Sequence, residues 1–214
     1  MPASALESHI QRRLATADVT TTEPVVRAVA AYLELLARWN ARINLTAFDL
    51  AHPTDAAIDR LIVEPIAAVQ LIRADDRLVV DIGSGGGSPA IPMKLAAASL
   101  VMKLFESRTR KAAFLREAVR VLSLGDVDVE TVRVDPSTVP RGLQDRADVV
   151  TLRAVRPDRR LWEAIGKLTR GRGRVFLFSN LVNKPITLPE THVWTEVTHD
   201  LGKLNRSLTV LTKR

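Results

Sequence analysis

The glycine-rich stretch VVDIGSGGGSPAIP, residues 79–92, has the residue types and the spacing that most clearly point to chemistry. An apolar run ends in Asp81, and Gly83, Gly85 and Gly87 follow at every second position. A buried strand, a glycine-rich turn and a helix in this order place backbone N–H groups against a nucleotide-like ligand. The stretch therefore predicts a ligand that lies directly on the backbone. A glycine-rich turn that binds nothing is the alternative.

The spacing of these glycines narrows the class of ligand. A dinucleotide fingerprint, counted from Gly83, needs glycine or alanine where Ser88 stands. A phosphate-binding Walker loop needs Lys-Ser or Lys-Thr after the glycines, and neither pair follows them. The spacing suits the amino-acid and ribose portions of S-adenosylmethionine, which has no phosphate and must lie flat on the backbone. We therefore expect S-adenosylmethionine rather than NAD as the cofactor.

Two later apolar runs end in groups that suit a nucleoside. Glu106 ends the run LFES, where a carboxylate can accept hydrogen bonds from both ribose hydroxyls. A strand-end acid without a ligand is the alternative. Val134 and Asp135 follow the third run, where an adenine could meet a backbone amide, an apolar wall and an acceptor for its amino group. Because Asp-Pro also opens ordinary turns, both interpretations of this pair remain open.

Three cations stand at the start of a predicted helix, in the segment SRTRKAAFLREAV. Arg108, Arg110 and Lys111 occupy positions where the helix dipole disfavours positive charge. Contact with phosphates would favour them there, and a solvated helix face is the alternative.

The elements that must position these residues change in character near Arg77. The first part reads as helices, including one over 23–45 and one over 54–72. After it, short apolar runs alternate with helices that begin near Ile91, Thr109 and Asp158, the first of them between two prolines. This alternation predicts an α/β fold with a mostly parallel sheet. The runs HVWTEVTHDL and RSLTVLTK predict a C-terminal antiparallel hairpin.

Composition excludes several kinds of chemistry. The 214 residues include no cysteine and only four scattered histidines, so we expect neither disulfides nor a metal site. No apolar run is long enough to span a bilayer and the N-terminus has no signal-peptide pattern, so we expect a cytosolic (cytoplasmic) chain. The net charge of +7 is the sign expected for a partner rich in phosphates, although it also favours solubility alone.

Taken together, these motifs resemble those of the bacterial glucose-inhibited division protein B family, enzymes that methylate N7 of one guanine in 16S ribosomal RNA. The resemblance extends over nearly the whole chain from about Tyr32. It rests on the segments LLARWNARINLTA, DIGSGGGSPAIP, ESRTRKAAFLREA, RVD at 133–135, DVVTLRAV and NRSLTVLTKR. It implies a Rossmann-like class I methyltransferase domain over 73–214, preceded by an N-terminal helical segment over 1–72.

The resemblance also implies roles for individual residues. Gly83 and Ser88 would border the cofactor, Val134 and Asp135 would meet its adenine, and Arg153 would lie beside the methyl-transfer centre as the catalytic residue. The residues predicted to contact the cofactor are Asp81, Gly83, Ser84, Gly85, Gly87, Ser88, Glu106, Val134, Asp135 and Arg153. Those predicted to contact RNA are Arg108, Arg110, Lys111 and Arg156. For Trp39, Asn40 and Asn44 we expect a structural role, with the two asparagines one helical turn apart on one face.

Three departures from the family pattern concern mainly the substrate side. Arg60 stands where the family usually has a histidine followed by Asp-Ser, and Ala90 replaces a glycine of the loop. Ser179 and Asn180 replace a Lys-Gly pair. The expected activity is methyl transfer to 16S ribosomal RNA, either free or in the small ribosomal subunit, by a monomer. The alternatives are an RNA-binding or assembly protein that has kept the fold, and a small-molecule methyltransferase.

Overall fold

The computed structural model describes residues 4–178, 194–201 and 207–214. Ser179 and Asn180, which replace the Lys-Gly pair of the family, lie outside the described residues.

The N-terminal part is helical, as the sequence predicts. Helix α1 spans Ala5–Thr16 and α2 spans Glu23–Asn40. A longer helical stretch follows and changes its hydrogen-bonding pattern along its length. It consists of α3 over Asp55–Ile58, a π-helical turn over Asp59–Val63, α4 over Glu64–Ala68 and a 3-10 turn over Val69–Leu71.

The rest of the described chain forms one seven-stranded sheet with the order β3-β2-β1-β4-β5-β7-β6. Strands β1 to β5 are parallel, and β7 runs antiparallel to both β5 and β6. The strands are β1 Leu78–Ile82, β2 Val101–Phe105, β3 Val127–Glu130, β4 Ala147–Arg153, β5 Thr169–Phe178, β6 Trp194–Asp200 and β7 Ser207–Lys213. The connecting helices are α5 Ala90–Ala96, α6 Thr109–Val121 and α7 Arg159–Leu168, with a 3-10 turn over Arg141–Leu143. The predicted mostly parallel sheet and terminal hairpin are therefore confirmed.

Alternating side chains of the strands build a core on each face of the sheet. Val79 packs with the N-terminal helices, α5 and α6, whereas its neighbour Val80 packs with α7. Apolar side chains of α1 and α2 belong to the same cluster as Val79 and Phe176. The division into 1–72 and 73–214 remains a prediction, and the helical segment shares a core with the sheet.

The structure corrects the predicted end of α2. The apolar spacing predicts a helix up to Leu45, but α2 ends at Asn40. The Oδ1 atom of Asn40 accepts hydrogen bonds from the backbone N–H groups of Leu45 (2.9 Å) and Thr46 (3.0 Å). A side chain that binds the backbone in this way competes with continued helix. The structural role expected of Asn40 is confirmed, because it caps the following loop, but Asn44 lies beyond α2 and does not share a helix face with it.

Candidate cofactor and substrate site

The loop after β1 has a backbone that only glycine adopts readily. Gly83, Gly85 and Gly87 have φ angles of +73°, +51° and +87°. A Cβ atom on Gly83 would lie 2.5 Å from Cγ2 of Val155, and one on Gly87 would lie 2.5 Å from Cδ1 of Ile91. Conformation therefore favours glycine at all three positions, and space requires it at Gly83 and Gly87.

Helices of the N-terminal segment hold this loop in place. The Tyr32 hydroxyl donates a hydrogen bond of 2.6 Å to the carbonyl of Gly86. Burial raises the pKa of Tyr32, so its phenol keeps the proton that it donates. A Cβ atom on Gly86 would be only 3.3 Å from Cδ1 of Leu36. From the helical stretch, the carbonyl of Leu61 accepts a hydrogen bond of 2.8 Å from Oγ of Ser88.

Glu106 connects the loop to the start of α6. Its Oε2 atom accepts a hydrogen bond from the N–H of Gly85 (2.9 Å), and its Oε1 atom accepts one from the N–H of Arg108 (2.8 Å). The residue is 6% exposed and still lines a cavity. Because each carboxylate oxygen has more than one lone pair, both oxygens can still accept from a ligand.

Asp81 lies beneath the loop and is 1% exposed. Its Oδ1 atom accepts a hydrogen bond of 2.5 Å from Oγ1 of Thr151, and its Oδ2 atom has no hydrogen-bond partner among the described residues. Burial raises the pKa of Asp81 to about 6, although the hydrogen bond from Thr151 and the charge of Arg153 favour the ionised form. The carboxylate is therefore a buried charge that is only partly compensated.

Arg153, at the end of β4, lies in a buried cationic cluster. Its guanidinium pairs with Glu64 (3.1 Å), which also pairs with Arg60 (2.9 Å), and it lies 4.7 Å from the ring centroid of Phe178. Burial lowers the pKa of Arg153 to about 9. The next residue, Ala154, has a φ of +56°, which is uncommon outside glycine.

The π-helical turn explains how Arg153 finds a second acceptor. The N–H of Glu64 donates to the carbonyl of Asp59, five residues earlier, instead of to the carbonyl of Arg60. The carbonyl of Arg60 is thereby available, and Nη1 of Arg153 donates to it. A local change in helix hydrogen bonding thus positions the arginine of β4.

Two cavities open at the carboxyl ends of the parallel strands and meet at Gly83 and Val155, which line both. The first cavity has a volume of about 540 Å³, with an apolar wall that includes Ile82, Phe105 and Leu161. The second cavity has a volume of about 670 Å³ and is lined by the loop, Glu106 and side chains of α2 and the segment after it. Carboxyl ends of strands are where open α/β sheets bind ligands.

The structure brings most of the predicted site residues into these two cavities. Those in the first are Gly83, Val134, Asp135 and Arg156, and those in the second are Gly83, Ser84, Gly85, Ser88, Glu106, Arg108, Lys111 and Arg153. Three predicted residues line neither cavity. Asp81 is buried below the loop, Gly87 packs against Ile91, and Arg110 lines a separate groove beside Trp39.

Asp135 is held rigidly at the edge of the first cavity. Its Oδ1 atom accepts a hydrogen bond from the N–H of Ser137 (2.9 Å), and Arg160 pairs with its Oδ2 atom (2.7 Å). The hydrogen bond from the Ser137 backbone, with that from its hydroxyl and the pairing with Arg160, lowers the pKa of Asp135 to about 2. The carboxylate therefore stays an acceptor at neutral pH. Val134 lies in the loop that follows β3, which ends at Glu130.

Several residues of the site are not evident from the sequence. Tyr32 reads only as a core position of a helix, and the contacts of Thr151 depend on the pairing of β1 with β4. Glu64 follows Arg60 by four residues, the spacing of a helical ion pair, and this was the one available signal. Within the described residues, no helix is long and apolar enough to cross a membrane. In the same part of the chain, no three potential metal ligands come together.

Comparisons with known proteins agree with this geometry. A family model described as rRNA small subunit methyltransferase G matches residues 26–184. The ribosomal RNA small subunit methyltransferase G of Syntrophotalea carbinolica is 30% identical over 151 residues, which cover 70% of this chain and 67% of that protein. Its counterpart in a Roseiflexus species is 38% identical over 152 residues, which cover 70% of this chain and 63% of that protein.

A crystal structure of a SAM-dependent methyltransferase from Aquifex aeolicus is similar in fold. The TM-score is 0.51 at 12% identity, over 72% of this chain and 90% of that chain. With the strand order and the matched region, this likeness confirms the class I methyltransferase fold. The chain spans 59% to 67% of the length of the first curated relatives that it matches. The chain belongs to the rRNA small subunit methyltransferase G family, which is the family that its motifs resemble.

Proposed function

We propose that this chain transfers a methyl group from S-adenosylmethionine to N7 of a guanine in 16S ribosomal RNA. The observation that supports this most is the pair of cavities joined at Gly83 at the carboxyl ends of the strands. One cavity has an apolar wall suited to an adenine, and the other has loop backbone, a carboxylate and three arginines. Membership of an rRNA methyltransferase family supplies the substrate class.

The residues present fit S-adenosylmethionine. Gly83 and Gly85 present loop backbone to the cavities, a Cβ atom on Gly85 would enter space where its nearest contact is the carbonyl oxygen of Gly83 at 3.6 Å, and Glu106 offers acceptors beside Gly85. Val134 and Asp135 would hold the adenine in the first cavity, while Ser84, Gly85 and Ser88 would border the amino-acid portion in the second. When bound, the cofactor supplies an electrophilic methyl group on a sulfonium.

Methylation of guanine N7 places modest demands on the protein. The ring nitrogen reacts through a lone pair and loses no proton, so the reaction needs no general base. The protein must instead hold N7 in line with the methyl group and stabilise the cationic product. Arg153 is our candidate for contact with the guanine, and Glu64 with the carbonyl of Arg60 fixes its position.

The cations at the cavity rims would hold the RNA backbone. Arg108 and Lys111 line the second cavity, and Arg156 lines the first. Phosphate contacts fix position and carry no base information, so these residues would contribute affinity rather than sequence choice. We further propose that the chain acts as a monomer in the cytoplasm, where small ribosomal subunits are found.

Methyl transfer tests the proposal directly. Small ribosomal subunits that lack N7 methylation, and their extracted 16S RNA, would be incubated with the protein and S-adenosylmethionine labelled in the methyl group. Incorporation into a single guanine supports the proposal. Binding of RNA without incorporation in either substrate would replace it with an RNA-binding or assembly role. Calorimetry with S-adenosylmethionine and NAD provides a second measurement, and tighter binding of NAD would exclude the cofactor assignment.

A further inference from the structure

A groove outside the two cofactor cavities lies between the end of α2 and the start of α6. It has a volume of about 690 Å³, and we name it the Trp39 groove. Its lining includes Arg38, Trp39, Arg42, Ile43, Arg110 and Glu117. The groove thus combines an indole with three arginines and one acid.

The indole of Trp39 packs on Phe114 and also lines the groove. Its ring lies 5.8 Å from that of Phe114, centroid to centroid, in an edge arrangement with the planes at 63°. Phe114 is fully buried, whereas Trp39 is half-buried and lines the groove. A ring held in this way offers a flat apolar surface at little entropic cost. Unpaired nucleic acid bases stack on such surfaces.

The three arginines leave positive charge in the groove. Arg38, Arg42 and Arg110 are exposed, and none forms an ion pair within the described residues. Glu117 is the one acid among the residues that line the groove. Three cations against one anion favour an anionic occupant, and guanidinium groups suit phosphates through paired N–H donors.

The groove adjoins the second cofactor cavity at two points of the chain. Ile43 lines the groove and its neighbour Asn44 lines the cavity, and the same holds for Arg110 and Lys111. Consecutive Cα atoms are about 3.8 Å apart, so neighbouring stretches of backbone line the groove and the cavity. A strand held at the rim of the cavity would therefore have flanking nucleotides close to the groove.

We propose that the Trp39 groove binds an unpaired nucleotide that flanks the methylated guanine. Its base stacks on Trp39, and Arg38, Arg42 and Arg110 hold the adjoining phosphates. This inference rests on the proposed function for the identity of the strand. It assigns to Trp39 a role in RNA binding in addition to its packing on Phe114. An acidic protein segment would satisfy the charge but would leave the aromatic face without a stacking partner.

Binding of a labelled single-stranded oligouridylate, followed by fluorescence anisotropy at several salt concentrations, tests the groove. Trp39→Leu keeps an apolar contact with Phe114 and removes the stacking face, so affinity should fall about 5- to 150-fold. Arg38→Ala combined with Arg42→Ala should lower the salt dependence of log K by about 1.4. Affinity for S-adenosylmethionine should be unchanged in all of these variants.

Arg120→Ala is the matched control, because Arg120 is exposed on the same helix as Arg110 but about 15 Å further along its axis. It should leave RNA affinity unchanged. Should Trp39→Leu fail to fold by circular dichroism, the double arginine variant decides. Unchanged affinity in Trp39→Leu, or equal competition by polyglutamate of the same charge, would overturn the proposal.

The outcome separates this inference from the proposed function. If small subunits are methylated but the variants bind oligouridylate like the unaltered chain, the groove is excluded and the function stands. If no substrate is methylated but the variants lose RNA binding as described, the Trp39 groove stands as a nucleotide-binding site, and both the function and the link to a methylated guanine are excluded. Absence of any oligouridylate binding by the unaltered chain would also refute the groove.

Discussion

Asp81 should make the stability of the protein depend on pH between about 4 and 6. Its pKa is about 6 in the folded chain, above the ordinary value of 3.8. Well below the ordinary value of 3.8 the carboxyl is protonated whether the chain is folded or unfolded, and it does not affect the free energy of unfolding. As pH rises, the unfolded chain releases this proton first, so the free energy of unfolding falls until the folded chain also ionises.

The size of the effect follows from the two pKa values. Each pH unit between them corresponds to about 1.4 kcal/mol, so the full effect of Asp81 is about 3 kcal/mol, of which about 2.4 kcal/mol is lost from the free energy of unfolding between pH 4 and pH 7. Asp81→Asn keeps an oxygen that can accept from Thr151 but cannot ionise. The stability of this variant should therefore lack this part of the pH dependence.

Urea denaturation of both proteins at pH values from 4 to 8 measures the effect. The free energy of unfolding of the unaltered protein minus that of Asp81→Asn should fall by about 2.4 kcal/mol over this range. Asp145→Asn serves as the control, because Asp145 is an exposed partner of Lys213. The free energy of unfolding of the unaltered protein minus that of Asp145→Asn should vary by less than about 1 kcal/mol over the same pH range. A difference for Asp81→Asn that stays constant with pH would refute the argument that burial raises this pKa.

Three further substitutions test the loop and the buried ion pair. Gly83→Ala forces a left-handed φ and a contact with Val155, so the free energy of unfolding in urea should fall by about 1 to 2 kcal/mol or more, whereas Gly142→Ala, with open space around it, should leave it unchanged. Glu106→Ala should weaken S-adenosylmethionine binding in calorimetry by about 1 to 3 kcal/mol, and an unchanged affinity would mean that the ribose lies elsewhere. Glu64→Gln leaves the Arg153 charge buried without its carboxylate, so thermal denaturation should show a loss of about 3 kcal/mol; a loss below about 0.5 kcal/mol would contradict this role.

Local patterns predict the framework of the site well. Pro89 and Pro92 restrict the start of α5 to a few residues, and the helix begins at Ala90. The alternation of apolar runs and helices predicts the parallel strands, and the glycine-rich stretch predicts the turn between β1 and α5. These features depend on residues close together in the chain, so the sequence displays them directly.

Contacts between distant residues are what the sequence does not predict. Glu64 and Arg153 are 89 positions apart, and their pairing depends on how the helical stretch lies on β4. The π-helical turn has the same apolar pattern as an α-helix, so no local signal separates the two. Arg110 and Lys111 are adjacent in the sequence, yet the rotation of about 100° between successive helical positions sends them to different cavities.

The hydrogen bond from Tyr32 to Gly86 has a consequence for any shortened form of the protein. A fragment that begins at residue 73 would keep every residue predicted to contact the cofactor. It would lose the phenol that fixes the loop and the Leu36 side chain that packs against it. A protease cut between α2 and β1 that released the helices would therefore disable the nucleoside site, although the cleaved bond lies outside the residues predicted to contact the cofactor. The smallest unit that binds cofactor as the whole chain does includes α2.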